Sequence, residues 1–185
     1  MESVRQVIAM VDPPNAAIQV LRNAVEMEIE GRSFFRRASE VVRNPSSRDT
    51  FVSLVKQEQR HVDIIGEQLT RLENGLSWAS LQQLKREAPN YPKISVFQDK
   101  DVRHMKLDPD AGELDVLKIG IEIEKRSIEY YRNANFQTED PKAKEMFAWL
   151  VGEESGHLTV LSAEHDYRTR SGFYYDNSEF SLETF

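Results

Sequence analysis

The chain has 185 residues, 39% of them hydrophobic, a formal net charge of −7 and no cysteine. That length fits one domain with a substantial core, while the acidic balance and the lack of any long Lys/Arg run speak against a nucleic-acid surface. Without thiols there are no disulfides, no Cys-ligated zinc or iron–sulfur site and no thiol nucleophile.

In chain order, the apolar stretch Val7 to Val11 is cut off by Asp12-Pro13-Pro14 and is too short for a signal-sequence core or a membrane span. The expectation is a cytoplasmic protein with no membrane partner. Asp12-Pro13-Pro14-Asn15 then signals a helix start with Asn15 as N-cap, and helix A is expected over about 15–43, broken by Asn44-Pro45-Ser46-Ser47. Helix B, about 47–73, stops at Asn74-Gly75. The connection 75–111 carries Pro89, Pro92 and Pro109; it allows a short helix around Trp78 to Arg86 and an extended piece at Ile94 to Phe97. Helix C, about 112–138, and helix D, about 141–170, are separated by Glu139-Asp140-Pro141, and an aromatic tail, 171–185, follows with Phe173-Tyr174-Tyr175. Short breaks make A/B and C/D antiparallel neighbours, and the long connection can cross from one end of a bundle to the other. The expected fold is therefore a single all-α domain over 1–185, a four-helix bundle with one long crossover.

Residues 20–62 and 116–158 align without a gap at an offset of 96. The twelve identities over these 43 positions include Pro45/Pro141, Phe51/Phe147, Leu54/Leu150, Glu28/Glu124, Glu58/Glu154 and His61/His157. Chance would give about two or three, so the chain reads as a duplicated helical hairpin.

Helical phase separates inward from outward carboxylates. The three-four spacing 21, 24, 28, 31, 35 reads Leu, Ala, Glu, Gly, Phe on helix A, and 117, 120, 124, 127, 131 reads Leu, Gly, Glu, Ser, Tyr on helix C. Glu28 and Glu124 thus sit in apolar seams. Glu26 and Glu122 lie about 200° away, Glu26 in the company of Arg22, Glu30 and Ser33, and are expected in solvent. Helix B places Phe51, Leu54, Glu58, His61 and Ile65 on one stripe, and helix D places Phe147, Leu150, Glu154, His157 and Leu161.

Four buried carboxylates are costly unless something cationic compensates them. The only base on these stripes is Arg32, which has no counterpart at Ile128. Two divalent metals would balance four carboxylates and two neutral imidazoles, which makes Glu28, Glu58, His61, Glu124, Glu154 and His157 the candidate ligands. Mixed oxygen and nitrogen donors favour iron or manganese, with zinc possible. The alternative is a buried polar network without metal. His104 and His165 have no repeat partners and read as surface residues. Tyr131 and Phe35 fall seven residues after Glu124 and Glu28 and should flank the metals. Tyr131 is the candidate catalytic residue, as a hydrogen-bond donor to a ligand or a proton or radical relay; otherwise it is a core aromatic.

With these residues in place, the chain resembles the rubrerythrin branch of the ferritin-like superfamily over most of residues 16–168. The stretch AVEMEIEGRSFFRRA looks like a helix A of that group and GIEIEKRSIEYYRNA like its helix C. The resemblance implies a ferritin-like bundle with two iron ions, Glu58 and Glu154 as bridging carboxylates and Glu28 and Glu124 as terminal ones. It also implies peroxidase chemistry on hydrogen peroxide with electrons from a separate rubredoxin-like protein, and a homodimer for which the aromatic tail is a candidate contact. Two departures from the family pattern matter: the four cysteines of a rubredoxin-like domain are missing from this sequence, and Ser127 stands where rubrerythrins place an extra Glu. The departures leave dioxygen as an alternative oxidant in a ferroxidase, iron-handling or oxygen-scavenging protein, and a metal-stabilised scaffold as a third reading.

Overall fold

The computed structural model describes residues 13–88 and 112–169. Five helices fill these residues: α1 Pro13–Val41, α2 Pro45–Glu73, α3 Leu81–Glu87, α4 Glu113–Gln137 and α5 Pro141–Thr169. None of them is long and apolar enough to cross a membrane. The tail 171–185, the expected extended piece at Ile94 to Phe97, and His104 lie outside the described residues.

Two helix starts fall earlier than the sequence reading placed them, and for one reason. The first N–H groups of a helix have no intrahelical partner, so proline is tolerated there and its fixed φ suits the first turn. Helix α1 accordingly takes in Pro13 and Pro14, which puts Asn15 inside the helix and not at its cap. Helix α2 begins at Pro45, and its cap is Asn44, whose Oδ1 accepts from the N–H groups of Ser46 at 2.8 Å and Ser47 at 3.3 Å. Asp140 does the same for α5, accepting from Lys142 N at 2.8 Å and Ala143 N at 3.2 Å with Pro141 as the first helical residue. At the far end of α2, Gly75 takes φ 74°, and the Gly75 and Leu76 N–H groups return to the Leu72 and Arg71 carbonyls. Ser80 caps α3 through Gln83 N, so Trp78 and Ala79 precede that short helix instead of belonging to it.

Helices α1 and α2 form one hairpin and α4 and α5 the other. Arg22 near the start of α1 pairs with Glu73 at the end of α2 at 2.7 Å, and Asn135 near the end of α4 bonds the Lys144 carbonyl of α5 at 2.7 Å. Across the hairpins, Tyr130 Oη donates to the Val20 carbonyl and Ser47 Oγ to Glu164, so α1 runs against α4 and α2 against α5. The end of α2 and the start of α4 consequently lie at opposite ends of the bundle, as the long crossover requires. Helix α3 closes one end, where Gln68 of α2 accepts from Ala79 N at 2.8 Å, Lys142 of α5 donates to the Trp78 carbonyl and Trp78 meets Phe147 edge-on.

The apolar core falls into two halves. One gathers Leu21, Val25, Ile65, Tyr131 and Phe147, the other Phe34, Phe35, Phe51, Leu117 and Leu161. Between them runs a polar layer made by α1, α2, α4 and α5.

The cap assignments separate by substitution. Asn44→Ala should lower the unfolding free energy by about 1 kcal/mol in urea denaturation, whereas Asn15→Ala, at an exposed helix-interior position, should stay within about 0.5 kcal/mol of the parent.

Candidate metal centre

Each long helix contributes to the polar layer from the middle of its buried stripe, where the three-four phase turns the side chain toward the axis. Glu28 comes from α1, Glu58 and His61 from α2, Glu124 from α4 and Glu154 and His157 from α5, and each is no more than 3% exposed. They form two groups, Glu28 with Glu58, His61 and Glu154, and Glu124 with Glu58, Glu154 and His157; within each group one donor atom per residue lies within 4.8 Å of every other. Glu58 and Glu154 belong to both groups. All six sequence candidates for metal ligation are thus brought together.

Both imidazoles turn Nδ1 inward. His61 Nδ1 lies 3.1 Å from Glu154 Oε1 and 3.2 Å from Glu28 Oε2, and His157 Nδ1 lies 3.0 Å from Glu58 Oε1 and 3.1 Å from Glu154 Oε2. The rings are near-parallel with centroids 5.5 Å apart. Their outer nitrogens meet groups that the sequence reading did not single out. His157 Nε2 faces Gln57 Oε1 at 3.2 Å, and His61 Nε2 faces Glu153 Oε2 at 3.8 Å, within ion-pair range though beyond a hydrogen bond. Each of these partners immediately precedes the Glu of the opposite Glu-x-x-His, and that adjacency was the available signal. Outer-shell acceptors of this kind fix the tautomer that leaves Nδ1 open as a ligand.

The donor set fits a pair of divalent cations. Glu58 Oε1, Glu124 Oε1, both oxygens of Glu154 and His157 Nδ1 are buried without hydrogen-bond partners. Such atoms cost free energy unless a cation supplies the missing interaction. Four carboxylates and two imidazoles, with Glu58 and Glu154 shared, supply four donor residues to each of two positions.

The other expectations sort clearly. Tyr131 is fully buried, its hydroxyl donates to Glu28 Oε1, and its ring stacks on Phe147. Phe35 occupies the equivalent place in the other hairpin and stacks on Phe51. Glu26 and Glu122 are exposed, and Glu122 pairs with Lys125 at 2.7 Å. Ser33, expected beside Glu26 in solvent, is buried, since a small hydroxyl costs little when it is bonded. Arg32 donates to Gln59. His165 is half-buried instead of lying on the surface, with Nδ1 3.2 Å from Asp166.

Without metal, protons must do part of the compensating. Burial lifts the Glu28 and Glu124 carboxyls well above their ordinary range, reinforced by the charges of Glu154 and Glu58 and opposed at Glu124 by the close approach of His157. Glu58 goes the other way, because its close contacts with Glu28, His157 and His61 outweigh its own burial. At His157 burial favours the neutral ring, yet the carboxylates of Glu124, Glu154 and Glu58 beside it push it up to about 12. Metal ligation needs neutral imidazoles and ionised carboxylates, so a divalent ion must displace these protons. Loading with Mn(II) or Co(II) should therefore release protons, and affinity should tighten as pH rises from about 6 to about 8; titration calorimetry in buffers of different ionisation enthalpy reads both. Tyr131→Phe should cost about 1–3 kcal/mol in the metal-free protein by leaving a buried carboxylate oxygen short of a donor, measured by urea unfolding.

No curated protein and no solved structure matches the chain. The rubrerythrin family model matches residues 19–165, a span that takes in most of α1 and α5, all of α2 and α4, and every residue of the Glu/His cluster. The chain belongs to the rubrerythrin family.

Proposed function

We propose that the protein is a di-iron oxidoreductase that reduces hydrogen peroxide to water with two electrons and two protons drawn from outside the bundle. The observation that carries this reading is the sharing of Glu58 and Glu154 between two donor groups, because shared carboxylates hold two ions side by side instead of at separate sites. Membership of the rubrerythrin family supports iron as the metal. Bound iron would supply the electrons that cleave the O–O bond.

The chain's own groups prepare that chemistry. Glu28 and Glu124 would hold one ion each, Glu58 and Glu154 would span both, and His61 and His157 would complete the two positions through Nδ1. Ile65, Phe51 and Phe147 lie on the same helix stripes and are buried, which lowers the local dielectric and strengthens the charge interactions within the cluster. Tyr131 keeps a proton on its hydroxyl beside Glu28, since burial and the Glu28 and Glu154 charges raise it well above the ordinary phenol value. It is a positioning residue that fixes the Glu28 carboxylate and stores a proton next to it. Electrons would come from a separate one-electron donor.

A second reading, ferroxidase activity, is favoured by Ser127. This buried residue stands where the family resemblance places a further carboxylate, so the set available to a re-reduced ion is smaller.

Anaerobic protein holding two Fe(II) per chain, mixed in stopped flow with hydrogen peroxide and separately with dioxygen, tests the proposal. Oxidation should be much faster with peroxide. If the two rates are equal, peroxidase activity is abandoned, and repeated oxidation of added Fe(II) without a reductant would establish the ferroxidase reading.

A further inference from the structure

The offset of 96 that superposes the ligands also pairs Ser53 with Trp149, Lys56 with Gly152, Gln57 with Glu153 and Arg60 with Gly156. Ser53, Gln57, Gly152 and Gly156 lie beside His157, and Trp149, Glu153 and Arg60 lie beside His61; each pair changes in size or in charge. On the His61 side the space is filled. The Trp149 indole stands edge-on to His61 with centroids 5.4 Å apart, Arg60 and Lys85 lie 5.7 and 4.3 Å from the Trp149 ring centre, and Trp149 Nε1 holds Glu153 at 3.0 Å. His61 is completely enclosed.

On the His157 side the equivalent residues are small. Ser53 accepts from Gln57 Nε2 at 3.3 Å, which turns the amide oxygen toward His157. Gly152 and Gly156 are exposed, and a Cβ built on either would meet no atom within 4 Å. A groove of about 530 Å³ results between α2 and α5, and it runs down to His157 past Asp49, Ser53, Gln57 and Glu153. The repeat operation would place a matching groove over His61, where Trp149 and Arg60 stand instead.

The opposite flank is asymmetric in the same sense. Tyr131 donates to Glu28, while Phe35, at the equivalent position, has no hydroxyl to offer Glu124. Glu28 and His61 therefore have a donor and a carboxylate behind them; Glu124 and His157 have an aromatic ring and a neutral amide.

We propose that the two metal positions are inequivalent. The one formed by Glu28, Glu58, His61 and Glu154 is sealed and retains its ion. The one formed by Glu58, Glu124, Glu154 and His157 exchanges a divalent cation with solvent through the α2–α5 groove, whose Asp49 and Glu153 carboxylates attract cations. This rests on the dinuclear reading of the cluster.

The test is metal release. Protein loaded with two equivalents of cobalt(II) is mixed with excess EDTA, and the cobalt absorbance is followed in stopped flow. The expected release has two phases of one equivalent each. Gly156→Arg, which copies Arg60 into the groove at an exposed helical position, should slow the fast phase at least about tenfold and leave the slow phase unchanged, as expected when solvent access is closed. Gln57→Glu should also slow the fast phase about tenfold by placing a carboxylate behind His157. A single release phase from the parent protein, or a fast phase that Gly156→Arg does not move, overturns the inference while two bound ions leave the dinuclear reading standing. Retention of fewer than two cobalt ions overturns both.

Discussion

Glu28, Glu58, Glu124 and Glu154 are buried within ligand distance of one another, and no arrangement of ionised carboxylates in a low-dielectric core is stable without positive charge among them. The charge has to arrive from outside the apolar stripes. Protons can supply some of it, since the carboxylates around His157 and the burial of Glu28 raise both groups toward their protonated forms. Two divalent ions would supply all of it. The bundle is consequently built as two apolar halves on either side of this layer, each able to pack conventionally, with the electrostatic cost concentrated where a ligand can remove it. Whatever binds there and not to the unfolded chain also stabilises the fold.

Duplication explains how one chain places six donors so economically. A hairpin carrying one Glu on its first helix and a Glu-x-x-His on its second provides half a site, and two antiparallel copies complete it. The supporting aromatics follow the same symmetry, with Phe35 stacked on Phe51 in one hairpin and Tyr131 on Phe147 in the other. Symmetry ends just outside the ligands. Ser53, Gln57, Gly152 and Gly156 leave one histidine under a groove, and Trp149, Glu153 and Arg60 stand around the other.

The inward carboxylates were legible because a buried charge on a three-four apolar stripe is visible in one dimension. Glu28 and Glu124 differ from Glu26 and Glu122 only in phase, and phase alone put the first pair in the core and the second in solvent. The helix starts were less legible, since Asn15 and Asn44 are both residues that cap helices, and what separates them is that Pro13 and Pro14 precede Asn15 and take the first turn themselves, whereas Pro45 follows Asn44. Gln57 and Glu153 were missed for a different reason. They lie beside the ligand stripe and face a histidine on another helix, a relation that exists only once α2 and α5 have been packed antiparallel. Ser33 shows the converse, a polar residue on a solvent-like face that a neighbouring element covers.

Ser127 sets the limit on what the site can do when its charge changes. Two divalent ions would balance the four carboxylates, but a trivalent pair would carry two further positive charges that the ligand set does not meet. Ser127 offers a hydroxyl, not a carboxylate, so no additional anionic side chain can swing in from α4 at that position. Glu153, held by Trp149 at 3.0 Å, sets a carboxylate behind His61 Nε2, on the far side of the imidazole from the cluster. At the His157 position, where Gln57 offers a neutral amide, extra charge would be met by an anion or hydroxide from solvent, which reaches His157 along the α2–α5 groove. The neutral amide behind His157 and the open groove thus act on the same half of the site.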